Sequence, residues 1–350
     1  MTPFQNARTS PTPLARLTGG AGTMAAILLA TAIGLAAQAP AQTPRPVPGD
    51  PPIPAGELEV LKVQGNVWMI AGAGGNIAAQ VGEQGVVLVD TGAAGVSDRV
   101  LAALRTITDR PIRYIINTSV APQRVGGNAV IAALPGGSLA GAERGAIISV
   151  IAQENVYAKM SRTGPDGQPL YPVAAWPSDG YYAPQRGLIF NGEAIDIIHV
   201  PGAFSDGDSL VYFRGSNVLV SGNVFTTTHF PLVNRSEGGT FAGSLEALNR
   251  MLDITVPDDL AEGGTYVVPG YGRISDEADL VEYRDMATIV RDRLRKLVTT
   301  ERMTLAQVKE AHPLLGWEGR YGRPEWTVDM FIEAVFDEFA PAPARPAGRR

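Results

Sequence analysis

The sequence predicts an α/β fold in which two β-sheets pack face to face with helices on their outer sides. Three observations lead there. Short runs rich in Val and Ile arrive in two rounds, each punctuated by Gly, Asn and Asp, as half-buried strands are. Each round is followed by segments whose apolar residues recur at helical spacing. The chain of 350 residues is 45% hydrophobic and 18% charged, which is enough apolar material for a large core.

Taken in order, Leu58 to Val63, Val67 to Ala71, Ile77 to Val81 and Val86 to Asp90 read as strands, Val96 to Thr108 as an amphipathic helix and Arg113 to Asn117 as the next strand. The second round has strands at Leu188 to Phe190, Ala194 to Val200, Ser209 to Phe213 and Asn217 to Ser221. Helices follow near Ser244 to Leu252, Asp276 to Leu297, Thr304 to Ala311 and Thr327 to Phe339. Outer helices on two stacked sheets would bury such runs on both faces. Between the rounds, Gln153 to Arg186 carries Tyr157, Tyr171, Trp176, Tyr181 and Tyr182 among Gly and Pro. A long irregular aromatic stretch inside a compact domain reads as a lid-like insertion or binding loop.

The N-terminal stretch has Arg8 and Arg16, the apolar run Met24 to Ala37 and the small-residue pattern Ala39-Pro40-Ala41. This is the layout of a secretory signal over 1–41 with cleavage after Ala41, its apolar run too short to span a bilayer. The proline-dense stretch 42–56 reads as a linker, 57–340 as one domain and 341–350 as a tail of the same low-complexity kind. Cleavage would remove both arginines and take the formal charge from −6 to −8. A periplasmic or secreted location is expected. With no cysteine in the chain, disulfides, a cysteine nucleophile and thiolate metal sites are excluded. The acidic balance without a basic patch argues against nucleic acid. A small molecule and a periplasmic protein remain as partners.

The segments that stand out are VVLVDTG at Val86 to Gly92, YIINT and VGGNAV on either side of Ser119 to Arg124, DGDSLVYF at Asp206 to Phe213, NVLVSGNVF at Asn217 to Phe225 and TYVVPGYG at Thr265 to Gly272. In that order they resemble the metallo-β-lactamase superfamily over roughly residues 57–339. The resemblance implies an αββα sandwich of two mixed sheets flanked by helices, with the site at one edge between them. In that family the segment after I-N-T runs His-x-His-x-Asp-His and binds one or two zinc ions that activate a water. Carried over residue by residue, those positions hold Ser119, Ala121, Gln123 and Arg124. The histidine before the T-D-G-D element becomes Phe204, the bridging aspartate Asn223 and the histidine of P-G-H-G Tyr271. None of these is a customary zinc donor, and Arg124 brings a permanent positive charge to a cation's place. No metal and no cofactor are expected. Arg124 is expected to pair with Asp90 or Asp206 in place of the ion.

The expected ligand pocket is therefore floored by Ser119, Gln123, Arg124, Phe204, Asn223 and Tyr271, with Asp90 and Asp206 beside it and the 153–186 segment as roof. Arg124 and Tyr271 together would clamp an anion. Three groups are candidates for residual catalysis: His199 with Asp206 or Asp208, Ser119, and Tyr271. No G-x-S-x-G or S-x-x-K pattern accompanies Ser119. His229 and His312 lack metal spacing, and the glycines of Ala71 to Asn76 read as a hairpin turn, not a dinucleotide loop. Trp317 to Trp326 resembles a C-terminal segment that packs over the site edge in family members. The expected function is a non-hydrolytic pseudoenzyme that binds a small, anionic molecule. The alternative is a metal-independent hydrolase of lactams, lactones or esters.

Overall fold

The computed structural model describes residues 48–49, 52–137, 147–260 and 263–340. The secretory reading of 1–41, most of the linker and the tail at 341–350 lie outside the described residues.

The strands form two sheets. The first holds β1 (Glu59–Gln64), β2 (Val67–Ala71), β3 (Ile77–Gly82), β4 (Gly85–Val89), β5 (Ile112–Ile116), β6 (Ser149–Gln153) and β7 (Asp179–Tyr181) in sequential order. Its first four strands are an antiparallel meander, and β4 to β7 run parallel. The second sheet has the order β12-β11-β10-β9-β8, with β8 (Gln185–Phe190), β9 (Glu193–His199), β10 (Ser209–Phe213) and β11 (Val218–Val220) antiparallel and β12 (Tyr266–Val268) parallel to β11. Both sheets are thus mixed.

Helix α1 (Ser97–Arg105) makes the β4–β5 crossover. Short helices α2 (Pro122–Val125) and α3 (Asn128–Ile131) follow β5, and α4 (Glu154–Met160) follows β6. The longer α5 (Phe241–Ile254) and α6 (Glu277–Arg295) flank β12, and α7 (Leu305–Glu310), α8 (Glu318–Tyr321) and α9 (Val328–Phe339) complete the chain. Among the described residues no helix is long and apolar enough to cross a membrane. Thr240, Asp276, Thr304 and Thr327 cap the helices that follow them through side-chain oxygens, which satisfies otherwise orphaned N–H groups.

Alternation along the strands divides the core. Val87 and Val89 of β4 meet Val211, Phe213, Val218 and Val220 between the sheets. Val86 and Leu88 point the other way, onto Val100, Leu101 and Leu104 of α1. On the far side, Leu210, Leu219 and Val267 pack beneath α5, α6 and α9. Period-two alternation with both sheet faces covered gives strands that are apolar on both sides.

The structure corrects the reading of 153–186 as irregular: α4 and β7 lie inside it, and β8 begins at its end. The three-residue β7 and β12 and the five-residue β6 escape periodicity because so few residues carry little pattern. Helix α1 is also shorter than 96–108, closing at Thr106.

Candidate functional site

The C-terminal ends of β4, β5, β11 and β12 come out at one edge of the sandwich, and each delivers a polar residue there. Asp90, just past β4, has a positive φ of 67°. That left-handed turn is unfavourable for a non-glycine residue and is tolerated best by Asp and Asn. Its carboxylate is almost wholly buried and accepts from the Thr118 backbone N–H (2.8 Å) and hydroxyl (2.7 Å). Burial pushes the Asp90 carboxyl up to about 6, against the opposing pull of Arg124 and the two Thr118 bonds.

Arg124, in α2, has no solvent exposure. Its Nε donates to Asn223 Oδ1 at 2.5 Å, Nη1 to the Asn76 carbonyl at 3.0 Å and Nη2 to the Gly270 carbonyl at 3.1 Å. Nη1 also lies 3.6 Å from Asp90 Oδ2, and the Tyr271 ring stands 5.0 Å from the guanidinium carbon. Of the two acids expected to meet it, Asp90 does and Asp206 does not. The guanidinium fits only because its neighbours are small: a Cβ on Gly270 would overlap the Gly222 carbonyl and stand 2.6 Å from Nη2. Asn76 in turn donates to the Pro269 and Gly272 carbonyls, each at 2.9 Å, so four chain segments close on one side chain.

Above this plug lies an open pocket of about 510 Å³. Gln123, Phe204, Asn223 and Tyr271 line it, as do Lys159, Arg162 and Tyr171 from the 153–186 segment. Ser119 and Arg124 do not reach it. Ser119 is fully buried, and its hydroxyl accepts from the Ala121 N–H at 3.3 Å, with no base against it among the described residues. Arg124, enclosed as it is, cannot act with Tyr271 as the expected anion clamp. Lys159 stands 2.6 Å from Asp206 Oδ1 and 3.3 Å from Glu237 Oε2, and it donates to the Glu237 carbonyl. Arg162 pairs with Glu237 at 2.9 Å.

The histidines lie apart. His199 Nε2 is 2.8 Å from the backbone carbonyl of Asp206, not its carboxylate, and the ring borders a separate hollow of about 250 Å³ with Glu246 and Arg250. Asp208, the other expected acid partner, is buried and accepts from the Ser205 N–H (2.7 Å) and hydroxyl (2.8 Å). Burial, only partly offset by those bonds, pushes its carboxyl up to about 7. Among the described residues His199 forms no pair with the carboxylate of Asp206 or Asp208. His312 is exposed, 3.9 Å from Glu318.

His229 is the histidine that sequence reasoning passed over. Its Nδ1 lies 2.8 Å from the Thr228 hydroxyl, its Nε2 3.1 Å from Glu325 Oε1, and its ring packs edge-on against Tyr271. Burial lowers its pKa, Glu325 opposing. Lys159, Asn234 and Glu237 were also passed over. They come from α4 and the 234–237 turn, far apart in the chain, and only tertiary packing joins them.

No family profile and no curated protein sequence matches the chain. Among solved structures it is similar to the stereoselective inverting sec-alkylsulfatase Pisa1 from Pseudomonas sp., at 14% identity and TM-score 0.58, over 81% of this chain and 50% of that one. A double mutant of that enzyme gives 15% identity and TM-score 0.59 over the same shares. The DIM-1 metallo-β-lactamase gives 15% identity and TM-score 0.50, over 67% of this chain and 98% of that one. This chain has the metallo-β-lactamase fold. It spans half the length of the sulfatase chains.

Whether the zinc ions associated with the metallo-β-lactamase fold suit these residues is a question of donors. Zinc needs three or four nitrogen or oxygen donors converging on a point. Among the described residues no three His, Asp or Glu side chains converge in that way. At the strand ends the guanidinium of Arg124, which cannot shed its proton, already occupies Asn223 Oδ1 and lies beside Asp90. The residues do not fit zinc.

Proposed function

We propose that this protein is an exported pseudoenzyme of the metallo-β-lactamase fold, which binds a small molecule in the 510 Å³ pocket without hydrolysing it through zinc. The reading rests on one observation: the positive charge at the strand ends is a buried side chain held by Asp90, Asn223, Asn76 and Gly270. A fixed guanidinium there opposes a divalent cation and generates no hydroxide. By the resemblance of its motifs, this is where the fold's zinc ligands belong. The volume lies in the range of small-molecule sites, about 300–1,000 Å³. Its wall mixes apolar side chains with three amides and the charged Lys159, Arg162 and Glu237. The N-terminal Arg–apolar–Ala-x-Ala layout supports export.

Elemental analysis of protein refolded in the presence of zinc tests the reading: substoichiometric metal is expected. One zinc per chain, lost in Asp90→Asn, would overturn it.

A second reading has one observation in its favour. Thr228, His229 and Glu325 are linked at 2.8 and 3.1 Å, the spacing of a nucleophile, its base and an orienting acid. Thr228 does not line the pocket, which favours the binding role. Turnover of ester or lactone substrates in the presence of chelator, abolished by His229→Ala, would reverse that preference.

A further inference from the structure

We infer that the pocket selects an uncharged carbonyl compound, of the amide kind, carried on an apolar body. This deepens the binding reading above and rests on it. Arg124 is enclosed and committed to four partners. The ammonium of Lys159 donates to the Glu237 carbonyl and is ion-paired with the carboxylates of Asp206 and Glu237. Arg162 is paired with Glu237. An anion at Lys159 would have to break its ion pairs, and one at Arg162, whose side chain is 52% exposed, would sit at the open rim, so these cations do not make the enclosed part of the pocket an anion site.

What remains are neutral amides. Asn223 is 3% exposed and lines the pocket. A guanidinium only donates, so the bond from Arg124 Nε fixes which atom of Asn223 is oxygen. The amide Nδ2 must then face away from Arg124, and among the described residues it meets no partner. Gln123 is 5% exposed, lines the same pocket, and its side-chain amide likewise has no partner among the described residues. Neither amide is sealed in the core, so both turn their uncommitted polar atoms to the space a ligand would fill, where a ligand group can replace water. A ligand amide matches the pair: its carbonyl accepts from Asn223 Nδ2, and its N–H or carbonyl meets whichever end Gln123 presents. Phe204, Leu232 and Val120 provide the apolar wall.

Three probes of equal length separate the possibilities: 4-phenylbutyramide, 4-phenylbutyrate and 4-phenylbutylamine, titrated by NMR into the full folded protein. The amide is expected to bind at least tenfold more tightly than either charged probe. Asn223→Asp keeps an acceptor for Arg124 and removes the donor, so it should weaken the amide at least tenfold while the melting temperature holds. Gln123→Leu, which disturbs no internal bond, should weaken the amide severalfold. Tighter binding of the carboxylate at the same residues would overturn this inference and leave the pocket reading standing. Absence of shifts at pocket residues with all three probes at 10 mM, roughly the millimolar limit of weak association, would overturn both.

Discussion

Two cations stand near the strand ends, and they are held in opposite ways. Arg124 and Asp90 are 0% and 1% exposed, and the guanidinium is fixed by three hydrogen bonds besides the ion contact. Lys159 and Asp206 are 12% and 43% exposed, and although the contacting oxygen is covered, the rest of the Asp206 side chain reaches water. The Coulomb attraction is similar in kind; the desolvation behind it is not. A charge taken fully out of water is tolerable only while its partners remain, whereas a rim charge can fall back on solvent. The inner pair is therefore part of what holds the strand ends together, and the outer one part of what shapes the pocket mouth.

The largest effect should come from breaking the inner pair. Arg124→Ala leaves buried Asp90 without its counter-charge and Asn223 Oδ1 without its donor and is expected to cost about 3 kcal/mol or more, read as a shift in the urea midpoint. Combining Arg124→Met with Asp90→Asn should recover part of that loss, because the orphaned charge is removed with its partner. Strictly additive losses would mean the two residues are not coupled and would break the comparison.

Next comes the space that the inner cation needs. A Cβ at Gly270 would overlap the Gly222 carbonyl and crowd Nη2, both in well-packed surroundings. Gly270→Ala is expected to cost about 2 kcal/mol, in the range for overpacking a core. A neutral result in thermal melts would show that the guanidinium can move aside, contrary to its four fixed partners.

How much of this contrast the sequence foretold differs between the two regions. The five motif segments and their order were enough for the sandwich, and the solved structures carry the same fold. The inner site was legible in part: Arg124 could be expected to pair with an acid, because a buried cation in a strand-end loop demands one. Which acid it would be was undetermined, since Asp90 and Asp206 both follow family motifs, and only the turn at Asp90, with its φ of 67°, aims that carboxylate inward. The pocket mouth was not legible. Lys159 lies on a two-turn helix inside a Gly- and Pro-rich stretch, and Glu237 lies in a 3₁₀ turn. Neither position has a periodic signature, and their meeting is a product of packing alone. His199 misled for the converse reason: proximity in sequence to Asp206 and Asp208 did not bring either carboxylate to its ring.

Asp208 lies between the two regimes, buried like Asp90 but with no cation in direct contact among the described residues. Its folded pKa of about 7 stands above the ordinary 3.8, so the folded state holds its proton more tightly than the unfolded chain. The resulting stabilisation is complete below about pH 4 and is lost as pH rises through 7. Between pH 8 and pH 6 the protein should gain roughly 1 kcal/mol from this group. Asp208→Asn can keep both contacts to Ser205 through its oxygen and amide, and in urea melts at the two pH values its stability should lack that gain. An unchanged pH dependence would mean that the carboxyl titrates as an exposed one does.

The smallest effect is expected at the outer pair, and it sharpens the contrast most directly. Lys159→Met removes the charge and keeps the aliphatic stem that packs at the pocket mouth. Asp206, at 43% exposed, can then be hydrated, and Glu237 retains Arg162. The loss should stay below about 1 kcal/mol and shrink further in added salt, as for partly exposed ion pairs. If instead Lys159→Met cost as much as Arg124→Ala, burial would not be what separates the two cations. Glu237, 16% exposed and joined to both Lys159 and Arg162, would then have to be regarded as the centre of a second structural ion cluster. A Glu237→Gln variant resolves this: in the rim picture it is as mild as Lys159→Met, and in the cluster picture it matches the loss at Arg124.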